Sequence, residues 1–218
     1  MDRIKARLVA QEYSQCEGID YQEVFSPVVN NTTIRSLLAV PNICNWEIHQ
    51  TDVQTAFLQR ELQDEIYMRQ PCGYVSKDKP EFKLKKSIYM ASKGGARCWN
   101  TSIDTFLISK GYEKSGADPC VYVKSIKQKD GKINFVIMAL YTDDMLWFSN
   151  NSEMLKKEKI MIAERFNVDD LGEIKYGLEM VLQRNRKLKT LSISQPNQGQ
   201  CQRYVVWGGE YRQNFAEQ

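Results

Sequence analysis

Apolar residues near the middle of the chain are concentrated in two short runs that a polar break separates. The first run is 135–141 (FVIMALY) and the second is 145–148 (MLWF). Two such runs joined by a tight polar connection are typical of a β-hairpin. Asp143 and Asp144 fall at its bend. A solvated Asp-Asp turn and a carboxylate pair that binds a cation are both compatible with this local pattern.

The rest of the chain shows the periods of helices and strands. Residues 46–53 alternate as a half-buried strand does, and 55–58 then depart toward a helical turn. Helices are expected from a cap at Thr32 or Thr33 to near Pro41, from Ala96 to a C-cap at Gly111, and after a cap at Asn151 or Ser152.

Further strands are expected at 121–123, 173–183 and 188–194, with the last two joined at 184–186. Residues 73–86 favour an exposed loop or hairpin, and 195–218 form a glutamine-rich, loosely packed tail. This order of elements predicts an α+β domain with helices packed on one face of the sheet.

The composition of the chain is typical of a soluble globular protein. Its 218 residues are 42% hydrophobic and 26% charged, and no apolar run approaches the length of about 18 residues that a membrane span needs. The six cysteines are scattered without a Cys-x-x-Cys pair, which favours reduced thiols in an intracellular compartment. The net charge of +3 permits a nucleic-acid partner without demanding one.

The sequence also restricts the possible chemistry. His49 is the single histidine, so a multi-histidine metal site is excluded and any histidine-dependent nucleophile would need that ring. Glycine-rich phosphate loops are absent. An enzyme built on this chain would therefore depend on carboxylates.

Asp52 supplies a third carboxylate at the end of an alternating strand. Aspartates from a strand end and from a neighbouring hairpin can converge on two Mg²⁺ or Mn²⁺ ions about 4 Å apart. Phosphoryl transfer depends mainly on such positioning and charge neutralisation. The carboxylates thus predict a two-metal site.

Residues 141–144 (YTDD) resemble the Tyr-x-Asp-Asp box of reverse transcriptases, and further segments resemble the copia-type retrotransposon branch of that family. These segments occur in the family's order and run from about residue 5 to Gln195. They are 5–11 (KARLVAQ), 20–29 (DYQEVFSPVV), 50–58 (QTDVQTAFL), 65–71 (EIYMRQP), 116–122 (GADPCVY) and 170–172 (DLG).

The resemblance implies roles for individual residues. Asp52 and Asp143 would be the principal metal ligands, with Asp144 beside them and the Val53 carbonyl completing the shell of two Mg²⁺ or Mn²⁺ ions. The resemblance also implies that Lys5, Arg7, the backbone near Gln54 and Thr55, and the ring of Phe57, which would contact the sugar, bind the nucleotide. Tyr141 and Thr142 would bind the primer or template.

The same resemblance implies an architecture: a polymerase palm, with a ferredoxin-like antiparallel sheet, plus partial fingers. Residues 1–194 would be the reverse transcriptase domain, with 1–45 as partial fingers and 46–194 mainly palm. Residues 195–218 would be a divergent polar tail without thumb or RNase H, as in a truncated element copy.

The implied activity is RNA-directed DNA synthesis on an RNA template, with a DNA primer and deoxynucleoside triphosphates as substrates. The expected location is intracellular, in a cytoplasmic virus-like particle or in the nucleus, with no membrane partner. A non-catalytic palm remnant and another palm enzyme, such as a nucleotidyl cyclase, are the alternatives.

Three departures from the family pattern bear on activity. Gly94 and Gly95 stand near the place of a glutamine expected to touch nucleotide and template. Thr142 replaces a valine, which is nearly isosteric. In the segment 176–180 (YGLEM), Glu179 stands where glycine is usual, near the expected primer-contacting hairpin.

Overall fold

The structure is a computed structural model that describes residues 26–54, 67–70, 73–74, 81–83, 95–194, 203–207 and 210–214. The chain divides into two compact units. Residues 28–54 and 107–218 form the large unit, and residues 1–27 and 55–106 form the small unit.

The described residues contain three helices and thirteen strands. In chain order they are α1 (Asn31–Cys44), β1 (Glu47–Val53), β2 (Tyr67–Arg69), β3 (Glu81–Lys83), α2 (Gly95–Ser109), β4 (Glu113–Lys114), β5 (Val121–Lys127), β6 (Ile133–Tyr141), β7 (Asp144–Ser149), α3 (Ser152–Arg165), β8 (Val168–Glu173), β9 (Tyr176–Gly177), β10 (Met180–Asn185), β11 (Thr190–Ser194), β12 (Arg203–Trp207) and β13 (Glu210–Asn214).

The large unit contains two sheets. A six-stranded sheet has the order β4-β5-β6-β7-β1-β8, and a five-stranded sheet has the order β13-β12-β11-β10-β9. Every strand pair in the described residues is antiparallel. The chain is therefore a mixed α/β protein with antiparallel sheets, compatible with a palm-like fold. The division into palm and fingers stays a prediction.

The β6-β7 hairpin is confirmed and lies at the centre of the six-stranded sheet. From Met145 to Ser149 every residue of β7 is buried, so both faces of this strand are covered. On one face the Trp147 indole donates to the Thr51 hydroxyl on the neighbouring strand at 2.8 Å. Burial gives way to partial exposure at Asp144, where the strand begins.

The cap predicted for α3 is confirmed, and Asn151 rather than Ser152 occupies it. The Asn151 side chain accepts a hydrogen bond from the Met154 amide at 2.8 Å, which satisfies one of the free donors of the first turn. Lys159 of α3 contacts His49 of β1 at 3.1 Å. Helix α3 therefore covers the sheet face to which His49 points.

The cap predicted for α1 at Thr32 or Thr33 was wrong, whereas Pro41 does lie near the end of the helix, as predicted. The N-cap is Asn30, whose backbone and side-chain nitrogens both donate to Asp118. The helix also continues past Pro41 to Cys44. The Arg184 guanidinium donates to the carbonyls of Pro41 and Trp46 at 2.9 and 2.8 Å, so a distant side chain stabilises this end.

The single strand predicted over 173–183 was wrong as well. A two-residue turn at Leu178 and Glu179 divides it into β9 and β10. Both residues have positive φ, +52° and +60°, a conformation that glycine and asparagine adopt more easily. Because neither of those residues marks the turn, the sequence gives no sign of the break.

Strands β12 and β13 differ from the loosely packed tail that the sequence predicts for 195–218. Strand β12 pairs with β11, and β13 pairs with β12. In the small unit β2 pairs with β3, which favours the hairpin over the loop for this part of the chain. Gly111, the predicted C-cap after α2, has a φ of +83°, in agreement with its role.

Candidate functional site: a carboxylate cluster at the strand ends

Two of the predicted carboxylates face each other across neighbouring strands. In the antiparallel pairing of β1 with β7, Asp52 lies directly opposite Asp144. Tyr141 of β6 lies opposite Asp144 on its other side. Residues directly opposite in an antiparallel pair point to the same face. Asp52, Asp144 and Tyr141 therefore form one row at the end of the sheet.

The third carboxylate, Asp143, lies in the two-residue turn between β6 and β7. Thr142 precedes it with a φ of +55°, which is uncommon for a β-branched residue and costs free energy. The Val53 amide donates to the Asp143 carbonyl at 3.0 Å. This hydrogen bond ties the turn to the end of β1, so that the three aspartates belong to one rigid corner of the sheet.

The Asp143 carboxyl lacks the partners that a buried anion needs. Its Oδ1 is buried and has no hydrogen-bond partner among the described residues. Burial, followed by the charges of Asp52 and Asp144, raises the pKa of Asp143 to about 6. A cation bound here would offset both the free-energy cost of burying the Asp143 carboxylate and its repulsion by Asp52 and Asp144.

Asp144 does have a neutral partner. The Gln50 side-chain amide donates to Asp144 Oδ1 at 2.8 Å. Gln50 is buried and precedes Asp52 by two residues on β1, so both side chains point to one face. The sequence patterns did not predict Gln50 as a site residue. Its two-residue spacing from Asp52 was the available signal.

Gln54, predicted near the triphosphate, is engaged within the large unit. Its amide donates to the Asn167 carbonyl at 2.8 Å. Its side chain donates to Asp169 and accepts from the Asn167 amide group. Val53 is buried. Roles for Val53 and Gln54 at the metal or the nucleotide stay predictions.

A cavity of about 580 Å³ opens beside Asp144. The six-stranded sheet contributes Gln50, Tyr141 and Asp144 to its lining, and the β9-β10 turn contributes Tyr176, Gly177, Leu178 and Glu179; Asn31 and Leu171 complete it. The cavity thus adjoins the carboxylate row and has room for a polar ligand of moderate size.

His49 lies on the other face of the sheet from this cluster. Its neighbours are Lys159 and Glu47, at 3.1 and 3.5 Å. Burial and then the charge of Lys159 lower the pKa of this imidazole, so it is neutral near pH 7. The arrangement gives the carboxylate cluster no histidine base within the described residues.

We tested whether the carboxylates suit the divalent metals that reverse transcriptases generally use. Within the described ranges, no three histidine, cysteine or acidic side chains surround a common point closely enough to hold an ion. The unpartnered Asp143 oxygen nevertheless lies beside two further carboxylates. Hard oxygen donors of this kind suit Mg²⁺ and Mn²⁺. The donor set fits such an ion, and the side chains would need to turn toward it.

Four predicted site residues, Lys5, Arg7, Thr55 and Phe57, lie outside the described residues, as does the helical turn expected at 55–58. Their roles in nucleotide binding stay predictions. None of the helices in the described ranges has the length and apolarity needed to cross a membrane.

Comparison with known proteins identifies the class. A family model described as reverse transcriptase (RNA-dependent DNA polymerase) matches residues 1–197. The chain belongs to this reverse transcriptase family.

Among its relatives, the chain is 40% identical over 195 residues to the retrovirus-related Pol polyprotein from transposon TNT 1-94 of Nicotiana tabacum, covering 88% of this chain and 14% of that protein. It is 39% identical over 180 residues to the Pol polyprotein from transposon RE2 of Arabidopsis thaliana, covering 82% and 12%. Against the Ty1-DR4 Gag-Pol polyprotein of Saccharomyces cerevisiae it is 30% identical over 195 residues, covering 85% and 12%.

The chain thus corresponds to the reverse transcriptase domain of a copia-type Pol polyprotein, and it spans about an eighth of the length of these relatives. No solved structure matches it.

Proposed function

We propose that this chain carries out RNA-directed DNA synthesis at the carboxylate cluster formed by Asp52, Asp143 and Asp144. The observation that carries the proposal is the buried, unpartnered Asp143 oxygen beside the other two carboxylates. A buried carboxylate without a partner lowers the stability of the fold. Its presence here is therefore best explained by a cation that it binds.

The residues have distinct parts in this proposal. Asp52 and Asp143 would hold the ions, Asp144 would contribute its second oxygen, and the Val53 carbonyl would complete the shell. When bound, two Mg²⁺ or Mn²⁺ ions would activate the primer 3′-hydroxyl and stabilise the leaving pyrophosphate. The Val53–Asp143 hydrogen bond keeps the strand end and the turn together, because small displacements of positioning groups reduce rates strongly.

The cavity beside Asp144 is the proposed place of the primer end. Tyr141 lines it, and Thr142 is exposed at the turn. Glu179 also lines the cavity, and its negative charge opposes a phosphate backbone. Lys5, Arg7, Thr55 and Phe57 are proposed to act on the nucleotide through the family resemblance alone. An RNA template, a DNA primer and deoxynucleoside triphosphates are therefore the proposed partners.

Primer extension on a primed RNA template, with Mg²⁺ or Mn²⁺, tests the proposal. The wild-type chain should lengthen the primer, and Asp143→Asn should not. Asp130→Asn is the matched control, because Asp130 lies in an exposed turn where asparagine can replace its bond to the Lys132 amide.

Absence of extension with both metals, or extension that Asp143→Asn leaves unchanged, would refute the proposal. The first result would favour a remnant without catalysis. Product length separates the remaining alternative, since a nucleotidyl cyclase would release a cyclic nucleotide and leave the primer unextended.

A further inference from the structure

The side chain of Gln50 occupies a position between the carboxylate row and the β9 strand. It is 5% exposed and donates to Asp144 Oδ1 at 2.8 Å. On β1 it lies two residues before Asp52, and Asp52 is the residue directly opposite Asp144. Gln50 is therefore the diagonal cross-strand neighbour of Asp144, on the same face.

Gly177 makes room for this side chain. A Cβ atom at residue 177 would lie 2.8 Å from Gln50 Oε1 and 3.1 Å from both Gln50 Cδ and Nε2. The amide end of Gln50 therefore packs directly against the glycine backbone. At residue 177 itself, the family resemblance predicts isoleucine or phenylalanine instead of glycine.

The chemistry of an amide suits a neighbour of a metal ligand. A lysine or arginine beside Asp144 would neutralise its carboxylate and compete with a metal ion for it. Such a pairing exists at Asp170, where the Lys159 ammonium lies 2.6 Å from Oδ1. A glutamine orients one carboxylate oxygen and leaves the negative charge in place. The second oxygen of Asp144 is then available to a metal ion.

We propose that Gln50 is a positioning residue for Asp144, and that Gly177 leaves the space in which the Gln50 amide reaches Asp144. This inference rests on the proposed function, since Asp144 matters as a ligand only if the cluster binds ions. Each part of the inference can be tested apart from DNA synthesis.

The first test measures Mn²⁺ binding to the full chain by electron paramagnetic resonance. Gln50→Met keeps the length of the side chain and removes the donor, and it should weaken Mn²⁺ binding about 10-fold or more, as loss of ligand-orienting partners does. The control Gln183→Met makes the same change at an exposed position of β10 and should leave binding unchanged. Equal affinity of Gln50→Met and wild type would overturn the inference.

The second test uses the metal-free protein and thermal unfolding. Gly177→Ala should lower the melting temperature, whereas Gly116→Ala should not, because nothing lies within 4 Å of a Cβ atom at residue 116. In a Gln50→Ala background, whose own stability is the reference, Gly177→Ala should cause little further loss, because the space is then vacant. A loss that Gln50→Ala does not relieve would contradict the steric pairing.

The third test separates this inference from the proposed function. In metal-free protein the stability effects of Gln50→Met and Asp144→Ala should be coupled, since each substitution removes the same hydrogen bond. Additive effects would refute the pairing of Gln50 with Asp144. Coupled effects in a chain that neither binds Mn²⁺ nor extends a primer would instead reject the proposed function and keep the pairing.

Discussion

Asp143 and Asp170 lie in the same unit, but their surroundings shift the pKa of the two carboxyls in opposite directions. Burial acts to raise the pKa of both carboxyls. At Asp170, hydrogen bonds from Lys159 and from the Gly172 amide outweigh burial and bring the pKa below its ordinary value. At Asp143, Asp52 and Asp144 add repulsion to burial, and the pKa rises to about 6.

The neighbourhood of Asp170 is part of a larger network of paired charges. Lys159 also contacts His49, whose imidazole lies 3.5 Å from Glu47. Arg186 bridges Glu47 and Glu173 at 2.7 and 3.1 Å. The fold therefore has the means to compensate acidic groups with its own cations. At the β6-β7 turn, none of the described residues does so for Asp143, and this is the basis of the proposed cation site.

The largest expected effect comes from removing the charge of Asp143. Asp143→Asn should reduce metal-dependent primer extension roughly 100-fold or more, because a principal ligand is lost. Single-turnover primer extension at saturating Mg²⁺ measures it. A comparable loss in the Asp130→Asn control would show that the defect is not specific to the cluster.

Removing the Lys159–Asp170 ion pair should affect stability rather than metal binding. Lys159→Met removes the partner of Asp170 and should lower the free energy of unfolding by about 1–2 kcal/mol, since Asp170 itself remains partly exposed. Urea denaturation measures this change. Lys156→Met, at an exposed surface pair with Glu153, should change stability by less than about 0.5 kcal/mol. Equal effects of the two substitutions would remove the contrast between the regions.

The pH dependence of stability in metal-free protein should distinguish the two aspartates. The folded-state pKa of Asp143 is about 6 against an ordinary value of 3.8, so the folded state binds an extra proton between these values. Stability should therefore rise as pH falls from 7 to 5, by on the order of 1 kcal/mol after allowance for solvent screening. Asp143→Asn should abolish this rise.

The contribution of Asp170 has the opposite sign. Its pKa lies below the ordinary value of 3.8, so its stabilisation is present at neutral pH and is lost only as pH falls further, through the folded-state pKa. Chemical denaturation in a chelator at a series of pH values separates the two windows. A wild-type curve parallel to that of Asp143→Asn between pH 7 and 5 would contradict the assignment.

The smallest expected effect concerns the backbone near the cluster. Glu179 has a φ of +60° and lines the cavity beside Asp144. Glu179→Gly should raise the free energy of unfolding by about 1 kcal/mol by relieving this conformation. The same change at Glu113, in the regular strand β4, should instead be destabilising. Thermal unfolding of both variants is the measurement, and destabilisation by Glu179→Gly would show that the turn is not strained.

Local sequence patterns predicted the elements whose signals lie within a few residues. The apolar runs before and after Asp143 predicted the β6-β7 hairpin, and Asn151 marked the start of α3. Patterns failed where distant groups decide. The N-cap Asn30 of α1 donates to the distant Asp118, and the turn at Leu178 and Glu179 lacks the residues that usually mark one.

The sequence by itself determined which family the chain resembles and which three aspartates are proposed to carry its chemistry, because those signals reside in residue identity and short spacing. Only the tertiary structure decided that Asp52 lies opposite Asp144, that Asp143 has a buried oxygen without a partner, and that Gln50 fills the space beside Gly177. The pairing of β1 with β7 and the contact of Gln50 with Gly177 join residues far apart in the chain, so these arrangements depend on the tertiary fold.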